Sequence, residues 1–233
     1  MRIGLVILNK NEIQALPFVL NEIPRDIFDE IIAIDGGSTD GSLEYIQKLN
    51  FKVLIQESKG RGAGFALGFK FAQKNEIDFL CFLSTDGNEV PIDLNRMVQI
   101  AKFESPDLVI ASRMLKQSWN EEDEHWFRPR KWGNQFFAIV AYILFGRRGK
   151  FISDPINGYR GLSLRTWNLL NPDAEGFNIE YQISVRAYKH NLKVIEFPTN
   201  EGPRIGGKSG ARAIPTTIAM FKVLLGELRQ RFN

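Results

Sequence analysis

A carboxylate at the end of an apolar run is costly unless it holds something, and residues 79–94, FLCFLSTDGNEVPIDL, put Asp86 in that position. Asn88 follows two residues on. Together they offer two oxygen ligands of the kind that Mg2+ or Mn2+ takes, with phosphates and water completing an octahedral shell. Such a metal stabilises the charge that develops on a leaving diphosphate. Asp35 ends a second apolar run, where it can accept hydrogen bonds from a base edge or a ribose. Arg61 lies between Gly60 and Gly62, small neighbours that allow close approach to a base or a phosphate. The set fits a nucleoside diphosphate held through a divalent cation. It is not a P-loop, since G-x-x-x-x-G-K-[ST] is absent, and no G-x-G-x-x-G follows the first apolar run.

The elements that must position these residues alternate. Short β-branched runs at Ile3–Leu8, Ile31–Ile34, Val53–Ile55, Phe79–Leu83 and Leu108–Ala111 read as strands. Helical patterns lie between them near Ile13–Glu22, Ser42–Leu49, Gly62–Lys74 and Ile92–Phe103, the last opened by Pro91. Strands buried on both faces and joined by helices specify an α/β fold with a mostly parallel sheet, whose ligands sit beyond the strands' carboxyl ends. The loops there are Asn9–Glu12, Asp35–Ser42, Ser58–Gly64 and Ser84–Asn88, all polar, Gly-rich or acidic. Helix caps and turns account for Asp40 or Ser42 and for the glycines singly, but not for two acids that both end apolar strands.

The second half is less regular. Asn120–Glu124 reads as a solvated acidic segment, followed by an apolar helix at Trp132–Phe145 with cations at both ends. Strands at Gly158–Leu164 and Lys193–Phe197 flank a helix at Phe177–Lys189. A basic loop from Arg204 then leads to an amphipathic helix at Pro215–Arg231. No repeat or linker divides the 233 residues, which read as one domain, regular over 1–112 and less regular over 113–233.

Net charge is +3, too little to argue for nucleic acid, yet His125–Ser153 and Gly202–Gly226 contain cations and no acid, which points to a surface that meets anions. Cys81 is alone, so a reducing cytoplasm is the default, and in an apolar run it reads as a buried, inert thiol. His125 and His190 lack partners at zinc-ligand spacing. The first residues lack a signal peptide's apolar core, and Trp132–Gly146 falls short of the about 20 residues that span a bilayer. Flanking cations and an apolar face fit that helix and the last one to a membrane surface, or equally to packing on the sheet. The sequence sets no oligomeric state.

These motifs, in this order, resemble the inverting family 2 glycosyltransferases of the GT-A fold, a Rossmann-like three-layer sandwich. They are most similar to the dolichol-phosphate-mannose synthase and polyprenyl-phosphate glycosyltransferase branch. VILNKNE, IIAIDGGSTDGS, KGRGAGFALGFKFA, DLVIASR, SDPINGYRGLSL, GFNIEYQISVRAYKHNLKVIEFP and PRIGGKS carry the resemblance over nearly the whole chain. It implies transfer of a hexose from GDP-mannose or a UDP-hexose to a polyprenyl or dolichyl phosphate, at the cytoplasmic face of the membrane. Asn9, Asn11, Glu12, Asp35, Gly37, Arg61, Gly62, Ser84, Thr85 and Asp86 would then surround the nucleotide sugar. Asp86 and Asn88 would hold Mg2+ or Mn2+. Arg113, Arg128 or Arg130, Asp154, Arg204 and Lys208 would meet the donor diphosphate and the acceptor phosphate. Asp86, Arg113 and Glu180 are the catalytic candidates, Glu180 as a base if the acceptor is a hydroxyl, with Asp154 second. Ser84 departs from the family, which has the first acid of Asp-x-Asp there, and this implies a weaker metal site or a different donor preference. Leu8 for Pro and Gly36 for a second Asp are smaller departures. The alternatives are a relative acting on a soluble or polysaccharide hydroxyl, and a nucleotide-binding module without catalysis.

Overall fold

Successive residues of a strand face opposite sides of a sheet, so a strand covered by helices on both faces must be apolar throughout. The computed structural model, which describes residues 1–146, 149–206 and 213–230 apart from the side chains of Glu121 and Ala213, shows this arrangement. Its strands are β1 (Ile3–Asn9), β2 (Glu30–Asp35), β3 (Lys52–Ile55), β4 (Phe79–Ser84), β5 (Leu108–Ser112), β6 (Arg160–Ser163) and β7 (Val194–Pro198). The helices are α1 (Leu16–Glu22), α2 (Ser42–Lys48), α3 (Arg61–Lys74), α4 (Leu94–Glu104), α5 (Pro129–Phe145), α6 (Leu164–Leu170), α7 (Ile179–Lys189) and α8 (Ala213–Arg229). In the sheet order β3-β2-β1-β4-β6-β5-β7, only β6 runs against its neighbours.

Leu5, Ile7, Phe79, Cys81 and Leu83 face α1, α2 and α4. Val6, Leu80, Phe82, Leu108 and Ile110 face α3, α5, α6, α7 and α8. Aromatic stacking adds to the second core, with Phe65 on Phe82 at 4.0 Å and Phe69 on Trp167 at 4.4 Å between ring centroids. Cys81 is buried, and burial pushes its thiol well above the usual range, as the inert reading requires. On α8, Glu227 sits almost wholly buried between Arg186 (2.6 Å) and Lys189 (2.7 Å) of α7. Among the described residues no helix is long and apolar enough to cross a membrane.

Several boundaries differ from expectation. The first helix starts at Leu16, because Asn11 takes a left-handed backbone (φ +57°) and residues 12–15 form a turn. Pro91 opens a short 3-10 turn, Pro91–Asp93, and α4 begins only at Leu94. The strand expected to reach Leu164 stops at Ser163, whose hydroxyl accepts the Thr166 N–H (3.0 Å) and so starts α6. The acidic segment after Asn120 is a capped 3-10 turn, Glu121–Glu124. Asn120 accepts the Glu122 N–H and Asp123 accepts the Asn120 N–H, which fixes a run expected to be solvated.

Because β6 is reversed, it starts at the edge where β1, β2, β4, β5 and β7 end. Arg160, its first residue, is fully buried and donates to the carbonyls of Pro155 (3.0 Å), Asn157 (2.6 Å) and Glu180 (2.9 Å). Burial pushes its pKa down to about 10, against the pull of Glu180 and Asp154. One guanidinium thus joins β6, the loop before it and α7. Arg160→Met is expected to leave these buried carbonyls without donors and to lower stability by about 3 kcal/mol or more, read from the urea midpoint.

Candidate active site

The register of the parallel strands places Asn9 beside Asp35 and Leu8 beside Ser84, so the first, second and fourth loops leave the sheet together. Asp35 is buried, and its carboxylate closes its own loop by accepting the N–H groups of Gly37 (2.9 Å) and Ser38 (2.8 Å), the Ser38 hydroxyl, and Asn9 Nδ2 (2.8 Å). The Asn9 amide oxygen accepts from Thr85 (2.9 Å), and Asn11 accepts the Thr39 N–H (2.8 Å). Asn9, Asn11, Asp35, Gly37 and Thr85 therefore tie the loops together at this edge, and Asp35 has little capacity left for a base or ribose.

Three guanidiniums organise the cleft. Arg204 bridges Glu12 and Asp86, the latter at 2.8 Å. Arg61, at the start of α3, donates through Nε to Glu180 and through Nη2 to Ser84 Oγ (3.1 Å). Burial opposes its charge, but Glu180, Glu89 and Asp86 outweigh that and raise its pKa. Arg113, just past β5, grips Asp154 through Nε (2.8 Å) and Nη2 (2.9 Å), and Glu201 through Nη1 (3.0 Å). Glu201 also accepts from Asn88 Nδ2 (3.0 Å) and from Asn120. Glu196 of β7 fixes the loop of Asp154 by accepting the N–H groups of Ser153 (2.8 Å) and Asp154 (3.0 Å).

Two glycines make this possible by absence of a side chain. A Cβ on Gly62 would collide with the main chain of Ala174 and Glu175, which crosses the start of α3, and the Gly62 N–H donates to Glu175 (2.8 Å). The space beside the Gly62 Cα is thus taken by backbone. A Cβ on Gly158 would strike the Arg61 guanidinium, so that glycine of the SDPINGYR motif leaves the arginine its place.

Of the cations expected at the site, Arg204 touches Asp86 directly, whereas Arg113 has given its donors to carboxylates. Arg128 serves Asp123 (2.9 Å) and the His125 carbonyl (2.7 Å), in the segment that reaches Glu201 through Asn120. The Arg130 N–H donates to Glu122 (3.3 Å). Lys208 lies outside the described residues. Glu89 and Glu201 were missed by sequence reasoning. Glu201 follows β7 as Asp86 follows β4, so the same search past the last strand finds it.

Glu12, Asp86, Asp154, Glu180 and Glu201 thus share Arg61, Arg113 and Arg204 among the described residues, and Glu89, on the Ser84 N–H, lies beside them without an ion pair. Burial raises Asp86 against the pull of Arg61, burial raises Glu201 against Arg113, and burial with the Asp86 charge pushes Glu89 up to about 8. Asp86 Oδ1 and Asn88 Oδ1 are buried with no hydrogen-bond partner among the described residues. Two orphan oxygens in an acid-rich cleft fit a hard divalent cation, which would draw these carboxyls back to the ionised form. No cluster of three or more His, Cys, Asp or Glu side chains able to hold a metal occurs among the described residues, so the remaining ligands would come from phosphate and water.

Residues 5–162 match the sequence profile described as Glycosyl transferase family 2. The chain belongs to that family. It is a glycosyltransferase, and its fold is GT-A. Among relatives of this family 2 enzyme, the UDP-N-acetylglucosamine–dolichyl-phosphate N-acetylglucosaminyltransferase of Methanococcus voltae is 24% identical over 84% of each chain. The polyprenol monophosphomannose synthase of Mycolicibacterium smegmatis is 25% identical over 96% of this chain and 86% of its own. The glucosyl-3-phosphoglycerate synthase of Mycobacterium tuberculosis, solved with Mn2+, UDP and phosphoglyceric acid, superposes with a TM-score of 0.73 at 18% identity, covering 97% of this chain and 78% of its own.

Asp154 is fully buried, and Arg113 holds it below the ordinary carboxylate range despite the opposing effect of burial. Its contribution is complete above the unfolded value of 3.8 and is lost as pH falls through the lower folded value. Asp154→Asn leaves Arg113 partly uncompensated and is expected to cost about 3–5 kcal/mol near neutral pH, with a shallower loss of stability on acidification, both read from denaturant midpoints.

Proposed function

We propose that this family 2 enzyme moves a hexose from a nucleoside-diphosphate sugar to a polyprenyl phosphate, with inversion. The observation that carries the acceptor is an apolar surface attached to the site. On α5, Trp132, Phe136, Ile139 and Ile143 form an exposed stripe, and Ile214, Ile218, Phe221 and Leu225 form another on α8. Phe221 packs on Phe137 (5.2 Å) and near Phe136 (6.3 Å), so the stripes adjoin, and Trp126, 87% exposed, extends them. Each helix also has a buried apolar side, which packing on the sheet already explains, so the outward stripes answer to a second apolar medium. Asn134 of α5 donates to Asp154 (2.6 Å), which ties this surface to the cleft. The two dolichyl- and polyprenyl-phosphate relatives support the same acceptor.

Residues 1–112 form the donor half and 113–233 the acceptor half. Asp86 and Asn88 would hold Mg2+ or Mn2+, which when bound neutralises charge on the leaving diphosphate. Arg204, shared between Glu12 and Asp86, is the guanidinium set to meet a phosphate, and the loops of Asn9 and Asp35 enclose the nucleoside. An oxygen of the acceptor phosphate forms the new bond to the anomeric carbon as the bond to the diphosphate breaks, and the electron pair leaves with the nucleoside diphosphate. The acceptor is already an anion and needs no base. A thermal-shift panel of UDP-, GDP- and dTDP-sugars, each with and without Mn2+, is expected to show one donor raising Tm, more strongly with the metal. No shift with any donor rejects the reading. Ile143→Ser with Ile218→Ser is expected to abolish sedimentation with anionic vesicles and leave that donor shift unchanged.

A second reading has a specific observation in its favour. Glu180 is buried on Arg61, which also reaches Ser84, and its Oε2 has no partner among the described residues, as a base for a hydroxyl acceptor requires. In that case Glu180→Gln, which keeps an acceptor for Arg61, lowers turnover about a hundredfold or more while the donor's thermal shift persists. Undiminished turnover rejects this second reading.

A further inference from the structure

The loop after β4 contains an acid that no role described above uses. Glu89 is folded back on its own loop, and its Oε2 accepts the backbone N–H of Ser84 at 2.7 Å. It therefore lies against the residue where an acid is missing. Asp86 and Arg61 are its electrostatic neighbours, with Glu201 and Tyr159 beyond. Arg61 attracts it without pairing with it, because that guanidinium donates to Glu180 and Ser84 Oγ. Glu89 forms no ion pair among the described residues. Closing the loop needs only a neutral acceptor at this position, and a glutamine amide oxygen would serve. A carboxylate there adds negative charge to a cleft already rich in acid, which is unfavourable unless a cation balances it. The unpartnered oxygens of Asp86, Asn88 and buried Glu180 in the same cleft point to where that cation belongs.

We propose that Glu89 supplies, from the far end of the loop, the negative charge that Ser84 withholds, so that a divalent cation on Asp86 and Asn88 is held with the field of a second carboxylate. Glu89 is a positioning residue for the cation. The inference rests on the proposed metal-diphosphate reading. It predicts that acid at 84 and acid at 89 are alternative sources of one charge.

The test is Mn2+ affinity, followed by the free-ion electron paramagnetic resonance signal in the presence of saturating UDP and, separately, GDP. Wild type is compared with Glu89→Gln and with Glu89→Gln combined with Ser84→Asp, and thermal melting verifies that each variant is folded. Glu89→Gln keeps the acceptor for the Ser84 N–H and is expected to weaken Mn2+ binding about tenfold, while Ser84→Asp in that background restores it. Unchanged affinity in Glu89→Gln, or a loss that Ser84→Asp does not restore, overturns the role of Glu89 and leaves the metal site of Asp86 standing. Absence of Mn2+ binding by wild type with either nucleotide overturns both.

Discussion

The pairing of Arg113 with Asp154 holds the two halves of the edge together. Arg113 follows β5, and Asp154 lies in the loop that leads to the reversed strand β6. Neither half of the pair is tolerable alone, since a buried ion without its partner costs several kcal/mol. The remaining lone pairs and donors are also taken, by Asn134 of α5 and by Glu201 after β7. Glu201 then reaches Asn88, and the chain beyond it lies along the β4 loop, with Gly202 N–H on the Asn88 carbonyl (3.1 Å) and Ile205 N–H on that of Asp86 (2.9 Å). Through one ion pair, elements more than a hundred residues apart reach the metal-type loop in a fixed geometry.

That geometry has an electrostatic consequence. Arg61 faces one carboxylate, Glu180, whereas Arg113 and Arg204 each face two, so those two networks hold more carboxylate than cation. Burial raises the pKa of Asp86 and Glu89, and for Glu89 the charge of Asp86 adds to it. A cation bound there would offset that charge. Arg204 carries the only guanidinium among the described residues that touches Asp86, and it arrives from the loop that continues towards Lys208.

The strands and the loops beyond them were legible because period and burial leave one choice. A both-faced apolar run of five or six residues is a central strand of a parallel sheet, and its carboxyl end is where ligands gather. Asp86, Asn88, Arg61 and Glu180 were found on that basis or through family resemblance, and the structure gathers them at one edge. What was not legible depends on pairing across long separations. No spacing tells that Asp35 satisfies its own loop, that Gly62 makes room for Ala174 and Glu175, or that Asn120–Glu124 is a cap. Glu201 escaped because the last strand was read as an end rather than as another source of edge residues. Reversal of β6 was equally hidden, and it is what carries Asp154 to the site.

Ser84 is best understood through the same accounting of charge. Its hydroxyl takes a hydrogen bond from Arg61, whose charge Glu180 already balances, and its N–H is held by Glu89. A carboxylate at 84 would compete with Glu180 for one guanidinium and would face Glu89 across a single turn of chain. Two like charges at that distance in a buried loop cannot both remain ionised without further compensation. The loop thus accommodates an acid at its start or at its end far more readily than at both. With serine at the start, Arg61 stays with Glu180, Asp86 keeps an oxygen free, and the negative field still falls on the Asp86–Asn88 pair.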